Sequence, residues 1–480
     1  MKKMVVILLF PFLSQFALAQ DIRQIKTDSV CSLVKQYFNQ KNINQLYELT
    51  GKNFKNSLSQ EAFTNICNNN LFPLGELKET VFESYEDGVA KYKAVFNSVN
   101  LTLLLSLDEN DKIVGFLFKP YNDEKAKKND RVLSTNPLST ALDKEVDLAV
   151  QPYMSLEATV GLSVGILKNG KTFFYNYGET ARGNKQLPDQ HTLFEIGSLS
   201  KTFTTILLAD AVNDGKAKLD DPINRYLPDS IPLLQYEETP ITILTLANHS
   251  SGLPRMPSNF RSKDPSDPFA DYGNNDLFSF YHNFKPLSRP GDKYEYSNLA
   301  VGTLGVIIER IDQSNYEKLI EEKICKPLNM NETKEYLTKS DSTRFAWGYN
   351  EEGTYNSPWN FKALAGAGAI RSSVSDLLKY ANANLGDAPP KLNNAILLTH
   401  QITLNKGGTK VGLAWHFIKP GNDDLIFHNG ETGGYHSYLS INPSKKFAVV
   451  ILSNCAKGTE NVGNSLMKWL EEFHPANDLN

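Results

Sequence analysis

The chain has 480 residues, 41% hydrophobic and 22% charged, with a formal net charge of −4. That length exceeds one ordinary domain and that composition is globular, which excludes a fibrous or disordered chain. A weak negative charge without a basic block or an RNA-binding signature excludes a nucleic-acid partner.

In chain order, "MKKMVVILLFPFLSQFALA" comes first. Lys2 and Lys3 form a basic start, Val5 to Leu13 an apolar run, and Ala17-Leu18-Ala19 a small-x-small cleavage site, so residues 1–19 are predicted to be a cleaved secretory signal. No later segment reaches the roughly 18 apolar residues a membrane span needs. The expectation is a soluble periplasmic or secreted protein, and loss of the two lysines takes its charge from −4 to −6. Residues 26–121 open with apolar positions at helical spacing (Val30, Leu33, Val34, Tyr37, Phe38). From about Glu76 they alternate with period two through "KYKAVFNSVNLTLLLSLDENDKIVGFLFKPY". This predicts a small α+β domain, helices on one face of a curved antiparallel sheet. Cys31 and Cys67 either pair within it or serve as small buried hydrophobes. Four cysteines are too few for a disulfide scaffold. Without CxxC, HExxH or a clustered His/Asp set, neither metal nor cofactor is expected. Residues 122–140, "NDEKAKKNDRVLSTNPLST", are polar and read as a linker.

The remainder, 141–475, reads as one large domain. "VGLSVGILKNGKTFFYNYG" predicts a hairpin turning at Asn169-Gly170, and "HSYLSINPSKKFAVVILSN" a second one near Asn442-Pro443-Ser444, followed by a helix with Met467, Leu470 and Phe473 on one face. Between them the sequence is mostly helical. The predicted fold is therefore α+β, an antiparallel sheet built from both ends of the domain, flanked by helices, with a helical subdomain. The site belongs in the cleft between sheet and helices. The aromatic segment 255–292 is predicted to be a long loop lining that cleft.

Ser-x-x-Lys occurs three times, at Ser32–Lys35, Ser198–Lys201 and Ser465–Lys468. The first and third lie inside amphipathic helices. Only Ser198 follows a strand-like Phe194-Glu195-Ile196 and a glycine, and it opens "SLSKTFTTILLADAVNDG", read as an amphipathic helix. There the helix N-terminus favours developing negative charge, and Lys201 shares a face with the serine. Buried at that end, its pKa falls and its amine becomes a base. The pair alone is equally an N-cap serine and a solvated lysine. Tyr296-Ser297-Asn298 opens a second helix. A phenol there can relay a proton if cations lower its pKa, or it is a packed tyrosine beside a capping asparagine. His428-Asn429-Gly430 is the chain's sole His-x-Gly, at the end of an apolar strand. Its glycine admits a ligand to the strand edge, or the segment is a turn with an exposed histidine.

Together with "LFEIGSLSKTFT", "ITILTLANHSSGLPR", "RPGDKYEYSNLAVGTLGVIIE", "ICKPLNMNET", "AGAGAIRSSVSDLLKYANA", "GLAWHF" and "HNGETGGYHSYLSINPSKKFAVVILSN", the order of these elements resembles the serine β-lactamase and D-alanyl-D-alanine peptidase superfamily. The match is to its class C-like branch, over about 150–472. The small first domain resembles nuclear-transport-factor-like domains. The superfamily resemblance implies the serine β-lactamase fold, with Ser198 as nucleophile, Lys201 as base and Tyr296 as proton relay to the leaving group. It further implies that Asn298 contacts lysine and substrate and that His428 lines the sheet side. Gly430 lets the substrate approach, and the N–H groups of Ser198 and Glu431 form the oxyanion hole. "NHSSGLP" is implied to be a structural turn, so His249 is not taken as catalytic. β-Lactamases of the superfamily carry Lys-Ser/Thr-Gly at the third motif, and this chain has none. His428 is neutral near pH 7 unless its site raises its pKa. This weakens carboxylate recognition and favours small esters or D-amino-acid peptides and amides, with cell-wall fragments as further substrates. The alternatives are a β-lactamase or penicillin-binding protein, or a sensor that acylates without turnover.

Overall fold

A computed structural model describes residues 14–86, 88–96, 99–121, 132–419 and 423–472. Residues 1–13 of the predicted leader, 122–131 of the predicted linker and Phe473 lie outside the described residues. The chain divides into two compact units, up to Asp123 and from Glu124.

In the first unit, four strands pair in sequence order as an antiparallel meander: Leu77–Glu86, Val89–Phe96, Asn100–Leu107 and Ile113–Pro120. The period-two pattern is realised directly, with Ala90, Tyr92, Ala94 and Phe96 all buried. Register shifts at Leu77/Glu79 and Phe82/Ser84 bend the first strand. Val34, Phe38 and Phe63 from the helices pack on that inner face. Asn39, at the end of the helix Ser14–Asn39, both donates to the Leu77 carbonyl (3.0 Å) and accepts from its N–H (2.9 Å), tying helix to sheet.

Cys31 and Cys67 are free and buried, as are Cys325 and Cys455. Of the two sequence readings, the small buried hydrophobe is the one realised. Burial pushes the thiols of Cys31, Cys67 and Cys455 up to about 11. The native protein is therefore expected to resist a thiol reagent at pH 8, and all four cysteines to react once it is unfolded, as counted by thiol titration.

The second unit is built on an eight-stranded antiparallel sheet. Its order is Leu404–Lys406, Thr409–Val411, His416–Ile418, Leu425–Glu431, His436–Asn442, Phe447–Ser453, Gly161–Lys168, Lys171–Gly178. The two predicted hairpins thus lie side by side, Phe447 opposite Lys168 and Ser453 opposite Leu162. Gly161–Lys168 and Phe447–Ser453 are buried at every position because both faces are covered. On one face sit the helices Ala141–Met154 and Glu460–Glu472, through Val146, Val150, Leu466, Met467 and Leu470. On the other face lies the larger helical core, which includes Phe203, Leu299, Leu304 and Leu377.

Three sequence expectations are revised. Residues 132–140 run along the sheet rather than forming loose linker. Gly178 N–H donates to Leu133 O (2.8 Å), Thr135 N–H donates to Asn176 O (3.0 Å), and Thr140 caps the following helix through Asp143. The two bonds to the sheet are made by the backbone and the cap by a polar side chain, so no apolar pattern announced them. Segment 255–292 contains the helix Asn274–Asn283, anchored by Leu277, Phe280 and Tyr281. The helix Ser200–Asn213 is not amphipathic: every residue from Ser200 to Ala211 is buried, the condition of a helix inside a large core.

Candidate active site

The nucleophile candidate is held by an unusually short run of structure. Phe194–Glu195 is a two-residue strand paired with Arg371–Ser372, apart from the main sheet. Gly197–Leu199 is a 3-10 turn, and the α-helix begins at Ser200. Ser198 thus sits just ahead of the helix, and no side-chain cap bond is made at either start. The N-cap alternative is removed, and the hydroxyl is free for chemistry. The rival pairs have ordinary roles. Ser32 donates to the Asp28 carbonyl within its helix, and Ser465 and Lys468 are exposed.

Lys201 is 0% exposed. Its Nζ lies 2.9 Å from Ser198 Oγ and donates to the Ala367 carbonyl at 2.7 Å. Burial, reinforced by the charge of Arg255, holds its pKa well below the usual lysine value. With one N–H committed to Ala367, a neutral amine keeps its lone pair for the serine proton. Ala367 ends the 3-10 turn Ala365–Ala367, and Thr204, one turn along from Lys201, donates to the neighbouring Gly366 carbonyl at 2.7 Å.

Tyr296 stands beside the pair, with Lys201 Nζ 5.0 Å from its ring centre. The expectation that cations lower this phenol is not met. Burial pushes it up to about 12, outweighing the lowering influence of the Ser198 hydroxyl and of the Arg255 charge. Tyr296 is therefore held as a neutral phenol, able to donate a proton but not to take one. Its ring is braced by His249, stacked at 4.5 Å, whose Nδ1 accepts from the Ser297 N–H (3.2 Å). His249 is not in contact chemistry with Ser198, yet it fixes the tyrosine. Ser297, not Asn298, caps the helix Asn298–Asp312. The Asn298 amide donates to Met256 Sδ at 3.7 Å, and no hydrogen bond joins it to Lys201.

The third element is the strand Leu425–Glu431. His428 is buried within it, 1% exposed, so the exposed-turn alternative fails. Its ring faces His416 at 5.5 Å, and burial, His416 and Lys201 hold its pKa well below the ordinary histidine value. The imidazole is neutral and cannot stand in for a lysine cation. Gly430 is where the strand meets the nucleophile turn. A Cβ on it would lie 2.0 Å from Ile196 O and 2.7 Å from Ser198 N. Reciprocally, Gly197 has φ +49°, and its Cβ would lie 2.7 Å from the Glu431 N. The two backbones are thus in direct contact at Ser198 and Glu431, whose N–H groups are the pair expected to bind an oxyanion. Ser437 Oγ pins the arrangement by donating to Ile196 O at 2.8 Å.

Sequence reading missed the supports. Glu195 is buried and accepts from the Trp359 N–H (2.8 Å) and from Arg371 Nη2 (3.1 Å), while Ile196 N–H donates to Ile370 O (3.0 Å). These contacts fasten the nucleophile turn to the segment that carries Ala367. The run of small residues "ALAGAGAI" was the available signal, since only small side chains admit so close a backbone. A separate cavity of about 630 Å³ opens among the helices, with Glu309, Glu317, Glu335 and Lys362 in its wall and none of Ser198, Lys201, Tyr296 and His428. Glu309 and Glu317 are engaged there by the backbone N–H groups of Tyr316 and Tyr336.

The chain is similar to known proteins in both sequence and fold. The family model described as Beta-lactamase matches residues 146–468. A beta-lactamase of Pseudomonas fluorescens is 30% identical over 349 residues, spanning 66% of this chain and 94% of that protein. The D-alanyl-D-alanine-carboxypeptidase/endopeptidase AmpH of Escherichia coli (strain K12) is 28% identical over 308 residues, 61% of this chain and 78% of that protein. A solved class C beta-lactamase superposes with TM-score 0.61 at 26% identity, covering 70% of this chain and 97% of its own.

Proposed function

Since the chain belongs to the beta-lactamase family and is a serine hydrolase of that superfamily, we propose that it is an exported enzyme working through an acyl-enzyme on Ser198. Its substrates are small esters or D-amino-acid peptides and amides. In the first half-reaction Ser198 Oγ bonds to the acyl carbon and its proton passes to Lys201 Nζ. The leaving group departs with a proton delivered through Tyr296. Water then repeats the sequence in reverse and frees the acid. The observation that carries the reading is the buried Lys201 amine, 2.9 Å from Ser198 Oγ with its lone pair uncommitted. A fluorophosphonate probe is expected to label the wild type at Ser198 and to leave Ser198→Ala unlabelled. Equal labelling of both would refute the nucleophile.

β-Lactam hydrolysis is a second reading, drawn from the printed names of the relatives. The neutral His428 speaks against it, because no lysine occupies the place where β-lactamases of the superfamily carry one. A panel of short-chain esters, D-amino-acid amides and a chromogenic cephalosporin separates the two. A burst of acylation without steady turnover on all three would instead identify a sensor.

A further inference from the structure

The site lacks the expected cation on its strand wall, yet a different cation stands on its helical wall. Arg255 directly follows the "HSSGLP" turn, and its backbone is riveted to the Tyr296 segment. The Arg255 carbonyl accepts from the N–H groups of Asn298 (3.0 Å) and Leu299 (3.2 Å), and Ser297 Oγ donates to the carbonyl of the preceding Pro254 (2.7 Å). From that fixed base the guanidinium reaches over the Tyr296 ring, 5.1 Å from its centre. Among the described residues it makes no ion pair and no hydrogen bond, and the side chain is exposed. Its 5.1 Å approach to the Tyr296 ring seats it beside the candidate site, and its charge acts on Lys201, Tyr296, Tyr294 and Glu431.

An arginine in such a setting has five donors in a planar fork and, among the described residues, no protein acceptor for them. Structural arginines in this chain look different: Arg371 is buried against Glu195 and several carbonyls, and Arg344 is paired with Glu332 and Asp341. Position identifies the part of the substrate concerned. Tyr296 hands its proton to the departing atom, so a group seated over Tyr296 meets the leaving group and not the acyl chain.

We propose that Arg255 is a specificity-determining residue that binds a carboxylate on the leaving-group side of the substrate. This rests on the serine-hydrolase reading and names its substrate class, esters or amides whose leaving group is anionic. It also revises the sequence expectation that carboxylate recognition is weak here, and it removes the weight that the neutral His428 places against the β-lactam reading.

The test uses two esters of the same short acid, one with 3-carboxyphenol and one with neutral 3-carbamoylphenol as the leaving group. Wild-type kcat/KM is expected to favour the carboxylate ester by about tenfold, the scale of one charge-assisted contact at an exposed site. Arg255→Gln should abolish that preference, mainly through KM, and Arg255→Lys should keep part of it as a point charge. An unchanged ratio in Arg255→Gln overturns the proposal, including the case in which both esters slow equally because Arg255 acts only through the charge it places on Tyr296 and Lys201. If the wild type hydrolyses neither ester and fluorophosphonate leaves Ser198 unlabelled, the serine-hydrolase reading fails, and this proposal falls with it.

Discussion

Replacing Lys201 with alanine is expected to lower kcat by about 10²- to 10⁴-fold, the range that one positioned acid–base group supplies, with the circular dichroism of the fold unchanged. The reason is local. Within the site, Lys201 Nζ lies 2.9 Å from Ser198 Oγ, Tyr296 is pushed up to about 12 and stays a phenol, and His428 is buried with its pKa lowered. No second base replaces the amine. A variant within about tenfold of wild type would show that the serine is activated otherwise.

The same group sets a pH dependence whose sign follows from its depressed pKa. As the proposed base the amine must be unprotonated, so kcat/KM is expected to fall as pH drops through the folded-state pKa of Lys201. Stability follows linkage. Between that pKa and the unfolded value of about 10.4, the unfolded chain holds a proton that the folded one lacks. Stability from this residue therefore rises with pH across that window and is complete only above it. Lys201→Met removes the proton exchange. The difference in stability between wild type and variant should move in favour of wild type as pH rises from 7 towards 10, measured by denaturant unfolding at both values. A difference that stays constant would mean that Lys201 is charged in the folded protein.

How much of this was written in the sequence depends on the kind of interaction. The hairpins at Asn169-Gly170 and Asn442-Pro443-Ser444 were legible because turn chemistry and period-two burial are local. The local setting of Ser198, a strand and a glycine ahead of it that Ser32 and Ser465 lack, was legible for the same reason. Depth was not legible. "SKTFTTILLADAV" carries threonines and an aspartate, which suggest a wet face, yet the core closes around them through bonds such as Thr205 to the Leu413 carbonyl (3.0 Å). Nor was the direction of the Tyr296 shift, since cations near a phenol are visible in a motif and its desolvation is not. Ala367, which takes the lysine's proton donor through its carbonyl, has no side-chain chemistry to betray it. Arg255 escaped notice because its meaning lies in what it fails to pair with, a property of space alone.

Gly430→Ala is expected to cut kcat and kcat/KM together by about 10²- to 10³-fold in a chain that still folds, the loss associated with one oxyanion donor. The added carbon would sit 2.0 Å from Ile196 O, 2.7 Å from Ser198 N and 2.8 Å from Ser437 Oγ. Two of those atoms are backbone, so no rotamer change relieves the clash. Ile196 O is also held in place, accepting from Ser437 Oγ (2.8 Å) and from the Leu199 N–H (3.2 Å). Either the strand end carrying Glu431 withdraws or the Ser198 turn does, and in both cases the two N–H groups cease to converge. A displacement near 1 Å suffices for about a hundredfold loss. The buried Lys201 amine is untouched by this change, so the acid limb of the pH profile should persist at reduced height. That separates loss of the oxyanion site from loss of the base. A kcat within about threefold of wild type would show that the strand edge does not hold the reacting carbonyl.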